Sequence, residues 1–471
     1  MRQPLPIVIL IFLLSLLAMS PVLLAQGMFM DGLIYSCVAM NLKDGIGDFW
    51  HLQFTQTLYA QFHEHPPLAM WLQSQFMKMF GNAFWVDRIF SILTILLQGL
   101  LIYQLSKLIS AKSKHLSYWP MFFFLFTPLT IWMMPNNLLE NTLGIFTLSA
   151  TIFALLGYQR KKIIWAFASG ILITAAIYTK GPVGLFPFSF FVLHYFFQNP
   201  RKDFMLHISY FLIQVMGFLI SFFVPFLLSE NIQLSWKAYW ARQVVNSIEN
   251  VVTVNHRFYV VQQALLHLLP MIGVIAITYF ILKRKQHRNF FSKDNQSSFW
   301  LFYGLSGIAP MMISLKQREF YILPALPFLI ISICILAQPI LTLLEEKLNA
   351  ISIKKIWTTN VITFITIIII SISQYGKLHR NVDIQADLNL IHTEIPNSQI
   401  IRIAKQLRED WSLYAYGYRY YHWSFDDSPS RRYYLDEKQR SASHQEASPI
   451  LMGKRFLLFD SEKLSTPNAA P

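Results

Sequence analysis

Eleven stretches of this chain are apolar for long enough to leave water: 5–26, 85–106, 118–134, 139–157, 163–179, 183–197, 206–229, 259–282, 298–315, 320–343 and 356–374. A helix needs about 20 mainly apolar residues to cross roughly 30 Å of hydrocarbon. Such runs predict an all-α polytopic membrane protein with about eleven transmembrane helices. Composition agrees, since only 14% of the 471 residues are charged, against about a quarter in a soluble protein. Cys37 and Cys334 are too few for a disulfide framework or a thiolate metal site. Soluble enzymes, disordered regulators, zinc fingers and disulfide-stapled domains are therefore excluded.

Charge sets the orientation. The net charge of +14 would suggest nucleic acid if the cations shared one surface. They alternate instead. With the N-terminus inside, the inner segments hold 17 basic residues against four acids, and the outer segments before residue 375 hold nine of each sign. The inner cations are Arg2, Lys107, Lys112, Lys114, Arg160, Lys161, Lys162, Arg201, Lys202, Lys283, Arg284, Lys285, Arg288, Lys293, Lys347, Lys354 and Lys355. Positive charge on inner loops encodes topology, so nucleic acid is not a partner. The first run lacks a clean small-x-small cleavage site in Ala18–Gln26 and reads as a retained helix rather than a signal peptide.

The chain divides by composition into a membrane part, 1–374, and a tail, 375–471, with 25 charges in 97 residues. An odd number of spans places the tail outside, as a small mixed α/β domain. Gln399–Ile403, Ser412–Tyr416 and Arg455–Phe459 read as strands, Ala404–Asp410 as helix, and Asp426–Ser448 as a loop. In the long first outer segment, 27–84, Pro67 stands at a helix start. Leu68, Trp71, Leu72, Phe76, Met79 and Phe80 then share one face, the pattern of a helix lying on the membrane surface.

Ionisable residues near the bilayer are costly and mark function by default. Asp31, Glu64, His65, Glu140, Lys180, Lys316, Arg318 and Glu319 all fall on the outer side of the charge-derived topology. Their convergence predicts one polar cavity open to the outer leaflet. Plainer roles exist for each: Asp31 as a cap for a helix starting at Gly32, Glu140 as a cap or a partner of Lys180, Lys316 and Arg318 as snorkelling anchors. His63, Glu64 and His65 alternate along an extended segment, which disfavours a two-His metal site. His194 and His207 read as ordinary residues near inner helix ends.

Several cations beside a carboxylate suit a lipid-linked phosphate, whose oxygens Lys and Arg hold by charge-assisted hydrogen bonds, with the carboxylate as general base. No Walker or Rossmann glycine pattern appears. The ordered motifs MDGLIYSCVAMNL, HEHPPLAMW, NNLLENTLGIF, TKGPVGL and KQREFYILPALPF, across about 5–340, resemble the dolichyl-phosphate-mannose-protein mannosyltransferase superfamily of polytopic (GT-C) glycosyltransferases. The look is closest to its bacterial aminoarabinose-transferase-like branch. The resemblance implies a helical bundle with outer-face helices that transfers a sugar, with inversion, from polyprenyl phosphate. It implies Asp31 as catalytic base, Tyr35, His65, Glu140, Lys180, Lys316, Arg318 and Tyr321 as substrate contacts, and Glu64 as ligand of a divalent metal found in some relatives. His65 stands where that branch has Lys, and is expected to contact phosphate only when protonated, below about pH 6.5. The implied acceptor is lipid A, another envelope glycan or a protein, at the periplasmic face of a bacterial inner membrane. A polyprenyl-lipid flippase is the alternative of another class, disfavoured because no internal repeat is visible.

Overall fold

The computed structural model describes residues 5–110, 116, 118–198, 204–283, 295–438 and 448–461. Of the inner cations, Arg2, Lys112, Lys114, Arg201, Lys202, Arg284, Lys285, Arg288 and Lys293 lie outside these residues. Two compact units emerge: Met1–Ser20 with His63–Ala69 and Ser91–Ile370, and Pro21–Phe62 with Met70–Phe90 and Ser371–Pro471.

The first unit is helical. Among the described residues, seven helical runs of the chain are long and apolar enough to cross a membrane: Leu5–Leu23, Phe84–Ile109, Leu139–Arg160, Ile163–Phe197, Phe204–Leu228, Tyr259–Leu282 and Ile353–Ser373. Leu326–Leu336 and Gln338–Asn349 qualify only together, bent by 85°. Helical runs that meet this test among the described residues therefore number seven, or eight with the bent pair, counting Ile163–Phe197 once; about eleven transmembrane helices were expected. The difference lies in breaks that hydropathy does not register. Run 118–134 splits into Trp119–Leu125 and Pro128–Met133, because Pro128 has no amide hydrogen to continue the preceding helix. Run 298–315 is the 14-residue helix Asn295–Ile308, only about 21 Å long, followed by a 3-10 turn at Ala309–Ile313.

The run Ile163–Phe197 is a hairpin rather than one rod. Its first arm ends at Lys180, and the 3-10 segment Gly181–Phe188 leads back into Ser189–Gln198. A Cβ on Gly184 would lie 2.7 Å from the Ala176 carbonyl carbon, so the 3-10 segment lies against the first arm there. The returning arm carries His194 to the far end of the hairpin. There its ring centroid is 4.4 Å from that of Tyr158, and its Nδ1 is 2.9 Å from His207 Nε2. These two histidines form a buried pair, more than the ordinary interface residues the sequence suggested.

In the second unit, the helix Met30–Lys43 is buried continuously from Gly32 to Asn41. It packs on the helix Trp411–Tyr421 through Tyr418 Oη donating to Asn41 Oδ1 at 2.9 Å and Cys37 Sγ donating to the Ala415 carbonyl at 3.6 Å. Both cysteines are free and buried. Arg419 Nε donates to Asp87 Oδ2 at 2.9 Å, with both side chains at most 3% exposed. Gln73 Nε2 ties this pair to the first helix, reaching Asp87 Oδ1 at 3.2 Å and Ser36 Oγ at 3.0 Å. Within the helix Leu68–Phe80, Met70, Gln73, Ser74 and Met77 are buried, whereas Met79 and Phe80 are exposed. The apolar face is thus left outward, as an interfacial helix requires.

The tail contributes a five-stranded sheet in the order β2-β1-β3-β5-β4, with β1 Ile400–Ile403, β2 Ser424–Asp426, β3 Tyr433–Glu437, β4 Leu451–Met452 and β5 Phe456–Asp460. The expected strand Ser412–Tyr416 is helix instead. Asp410 caps it, accepting from Leu413 N at 3.1 Å, and Leu413 through Arg419 are all buried, so packing overrides the β-propensity of the tyrosines. The helical reading of Ala404–Asp410 reduces to a turn at Lys405–Leu407. The expected loop Asp426–Ser448 contains β3, and its residues 439–447 lie outside the described set.

Candidate functional site

The site in the first unit is built where three segments bring charge together. His63–Ala69 supplies Glu64 and His65 just before Pro66 and Pro67. The hairpin supplies Lys180 at the end of its first arm. The segment before the 3-10 turn Glu319–Ile322 supplies Lys316, and the turn itself supplies Tyr321.

Lys180 is paired. Its ammonium meets the Glu140 carboxylate, with side chains 10% and 1% exposed, and also lies 4.6 Å from the Tyr321 ring centroid and 5.6 Å from that of Phe320. The plainer reading of Glu140, as partner of Lys180, is what the structure contains. Lys316 Nζ donates to Gln243 Oε1 at 3.0 Å and to Ser247 Oγ at 3.1 Å. Its backbone is anchored by the next residue. Gln317 is 1% exposed; its Oε1 accepts from Val260 N at 3.1 Å and its Nε2 reaches the carbonyls of Arg257, Met311 and Ser314.

These charges converge on Glu64 and His65. Burial raises the Glu64 carboxyl above its ordinary value, and the charges of Lys316 and Arg242 partly oppose that rise. Burial, then Lys180 and Lys316, hold the His65 imidazole well below its ordinary value of 6.5. Burial and two cations beside it disfavour protonation of His65, which runs against the expected protonated contact. Tyr239 joins the same group, its hydroxyl pushed up by burial and by Tyr321 and Glu64.

Arg242, Gln243 and Tyr239 were not singled out from sequence. They lie on and beside a π-helical segment, Trp240–Val245, a backbone irregularity frequent at functional sites. The usable signal was Arg242 itself, another cation in a segment that the charge pattern reads as outer. Arg318, by contrast, is exposed, and no hydrogen bond or ion pair of its side chain is found among the described residues. Glu319 Oε2 lies 3.8 Å from His267 Nε2.

Asp31 and Tyr35 belong to the second unit. The helix there starts at Met30 with Phe29 in the cap position, so Asp31 lies inside the first turn and does not cap a helix starting at Gly32. A carboxylate in that turn is favoured by the helix dipole. Tyr35 is buried at 6% exposure.

A metal at Glu64 does not fit this environment. No group of three or more His, Cys, Asp or Glu that could hold a metal ion occurs among the described residues. The charges acting on Glu64 and His65 come from Lys316, Arg242 and Lys180, which repel a divalent cation. What the cluster suits is an anion: cations for its oxygens, a neutral imidazole and tyrosine hydroxyls for further hydrogen bonds.

Residues 64–228 match the family described as dolichyl-phosphate-mannose-protein mannosyltransferase. Among curated proteins no sequence relative is found. The chain shares its fold with ArnT from Cupriavidus metallidurans. Against the apo structure the TM-score is 0.64 at 14% identity, covering 98% of each chain. Against the structure bound to undecaprenyl phosphate it is 0.63 at 13% identity, covering 96% of each.

Proposed function

We propose that this chain is an integral membrane glycosyltransferase of the polytopic GT-C type. It moves a sugar from a polyprenyl phosphate to an acceptor at the periplasmic face of a bacterial inner membrane. The observation that carries the reading is the cationic group of Lys316, Arg242 and Lys180 around His65 and Tyr321, in a fold shared with a protein whose structure holds undecaprenyl phosphate. The family match over 64–228, which includes Glu64, His65, Glu140 and Lys180, supports it.

In this reading Lys316 and Arg242 bind the donor phosphate, and Lys180 offers the N–H donors that its pairing with Glu140 leaves over. Tyr321 holds Lys180 and His65 donates or accepts a neutral hydrogen bond. The acceptor oxygen attacks the anomeric carbon as the carbon–oxygen bond to phosphate breaks. Asp31 takes the acceptor proton, the phosphate leaves on the lipid, and the single displacement inverts the anomeric centre. Tyr35, one turn along the same helix, contacts substrate. Arg318, being exposed, is the weakest of the expected phosphate contacts. The acceptor is lipid A or another envelope glycan.

Asp31→Asn tests the base. It keeps shape and a hydrogen-bonding oxygen but cannot take a proton, and general bases contribute about 10²–10⁴-fold. The purified variant in nanodiscs should melt like wild type and bind undecaprenyl phosphate normally while transfer collapses. Transfer within about threefold of wild type would remove Asp31 from this role, since that is far below a base's usual share.

A further inference from the structure

The tail has a cleft of about 360 Å³ that the transfer chemistry does not use, lined by Arg402, Lys405, Gln406, Arg408, Asp427, Tyr434 and Asp436 among others. Its position follows from topology. β1 lies between β2 and β3 and is parallel to both, and the lining residues fall at or past the carboxyl ends of β1 and β2 and along β3. β1 continues into β2 on one flank while β3 takes the other, which is the arrangement where open sheets with parallel strands collect ligands. The volume lies within the range of small-molecule sites.

The side chains there are provided for unequally. Arg408 is paired with Asp427. Asp436, 2% exposed, accepts from Gln406 Nε2 at 2.7 Å and from Glu437 N at 2.7 Å. Arg402 has its guanidinium carbon 4.9 Å from the Tyr434 ring centroid, yet forms no hydrogen bond or ion pair among the described residues. Lys405, in the turn after β1, has no side-chain partner there either. Stacking on an aromatic ring holds a guanidinium plane while leaving its N–H edge available to fork onto an oxyanion. Two cations without counter-ions in one concave, partly shielded site attract phosphate. Asp427, Asp436 and Gln406 beside them disfavour a polyanion and suit hydroxyl groups.

We propose that this cleft binds a phosphorylated saccharide, with phosphate on Arg402 and Lys405 and sugar hydroxyls on the Gln406, Asp427 and Asp436 side. The chemistry is shared by a free sugar phosphate and by the phosphorylated headgroup of a glycolipid. The site does not depend on the catalytic reading of Asp31.

The test uses the full chain in nanodiscs of zwitterionic lipid, titrated by calorimetry with glucosamine 1-phosphate, glucosamine and inorganic phosphate. A second arm adds a diphosphorylated glucosamine-disaccharide lipid to the nanodiscs and follows displacement of the soluble ligand. Glucosamine 1-phosphate should bind saturably and glucosamine should not. Arg402→Gln and Lys405→Gln should each weaken binding about tenfold or more, the usual effect of losing a charge-assisted contact. Binding of undecaprenyl phosphate should stay unchanged in both variants, which separates this cleft from the donor site. Displacement by the lipid identifies a headgroup site, and its absence a site for free sugar phosphate. Equal binding in wild type and both variants, or no saturable binding in either arm, overturns the proposal. Inorganic phosphate binding as tightly as the sugar phosphate overturns the saccharide assignment. Lys405 is exposed, so its replacement leaves folding intact and keeps the outcome readable.

Discussion

His65 should make the protein acid-sensitive, and its replacement should remove that sensitivity. Burial and the charges of Lys180 and Lys316 keep the folded imidazole neutral well below pH 6.5, whereas in the unfolded chain it titrates near that value. The folded state therefore binds fewer protons than the unfolded state below pH 6.5. Its full contribution is present above that pH and is lost as pH falls toward the folded value. Between pH 7 and pH 5.5 the unfolded imidazole alone can gain up to about 1.3 kcal/mol from protonation. Glu64 works the other way, because its raised carboxyl value lets the folded state take up a proton first as pH falls. A wild-type curve mixes the two, so a difference measurement is needed. His65→Gln keeps a hydrogen-bonding amide and does not titrate, and leaves Glu64 in place. Unfolding followed by tryptophan fluorescence in detergent, at pH 7.0 and 5.5 and constant ionic strength, should show wild type losing up to about 1.3 kcal/mol more than His65→Gln. Lys316→Met, which removes one of the two cations, should shrink that loss. The same loss in wild type and His65→Gln, or a larger one in the variant, would refute the picture of an imidazole held neutral by its neighbours.

Lys180→Met should cost about 3–5 kcal/mol, since it leaves the buried Glu140 carboxylate uncompensated; adding Glu140→Gln should recover much of the melting temperature but not donor-lipid binding. Arg419→Leu should likewise cost about 3–5 kcal/mol by stranding Asp87, and a double-mutant cycle with Asp87→Asn in thermal unfolding should return a coupling energy well above 1 kcal/mol. Gly181→Ala should lower both stability and donor binding. Gly181 sits at φ 73°, ψ −147°, a region nearly restricted to glycine, and a Cβ there would collide with the Tyr239 hydroxyl. Normal melting and normal binding of undecaprenyl phosphate in that variant would show that Tyr239 has no fixed place in the site.

The residues of the candidate site were legible to the extent that they break a rule with a physical cost. Cations on segments that the charge pattern reads as outer run against the positive-inside bias, and Lys180 and Lys316 stand out because the polar loops around them are short. Arg242 breaks the same bias but lies in a polar stretch, Glu230–Glu249, whose composition is unremarkable. Arg242 sits in the π-helical turn at Trp240–Val245 and its charge acts on Glu64, and no local pattern announces such a turn. Run 118–134 likewise reads as one continuous apolar stretch, although Pro128 divides it, because hydropathy averages over the residue that ends a helix. The Tyr-rich segment 411–421 could not be assigned from its own residues. It is helical because Asp410 caps it and because Arg419 finds Asp87, more than 300 positions earlier. That pairing, with Gln73 and Ser36, ties the tail to the helix bearing Asp31. An isolated Asp in a first turn looks like any other Asp. A buried ion pair retained at an energetic cost, holding its helix from a distant part of the chain, is a reason to test that helix first.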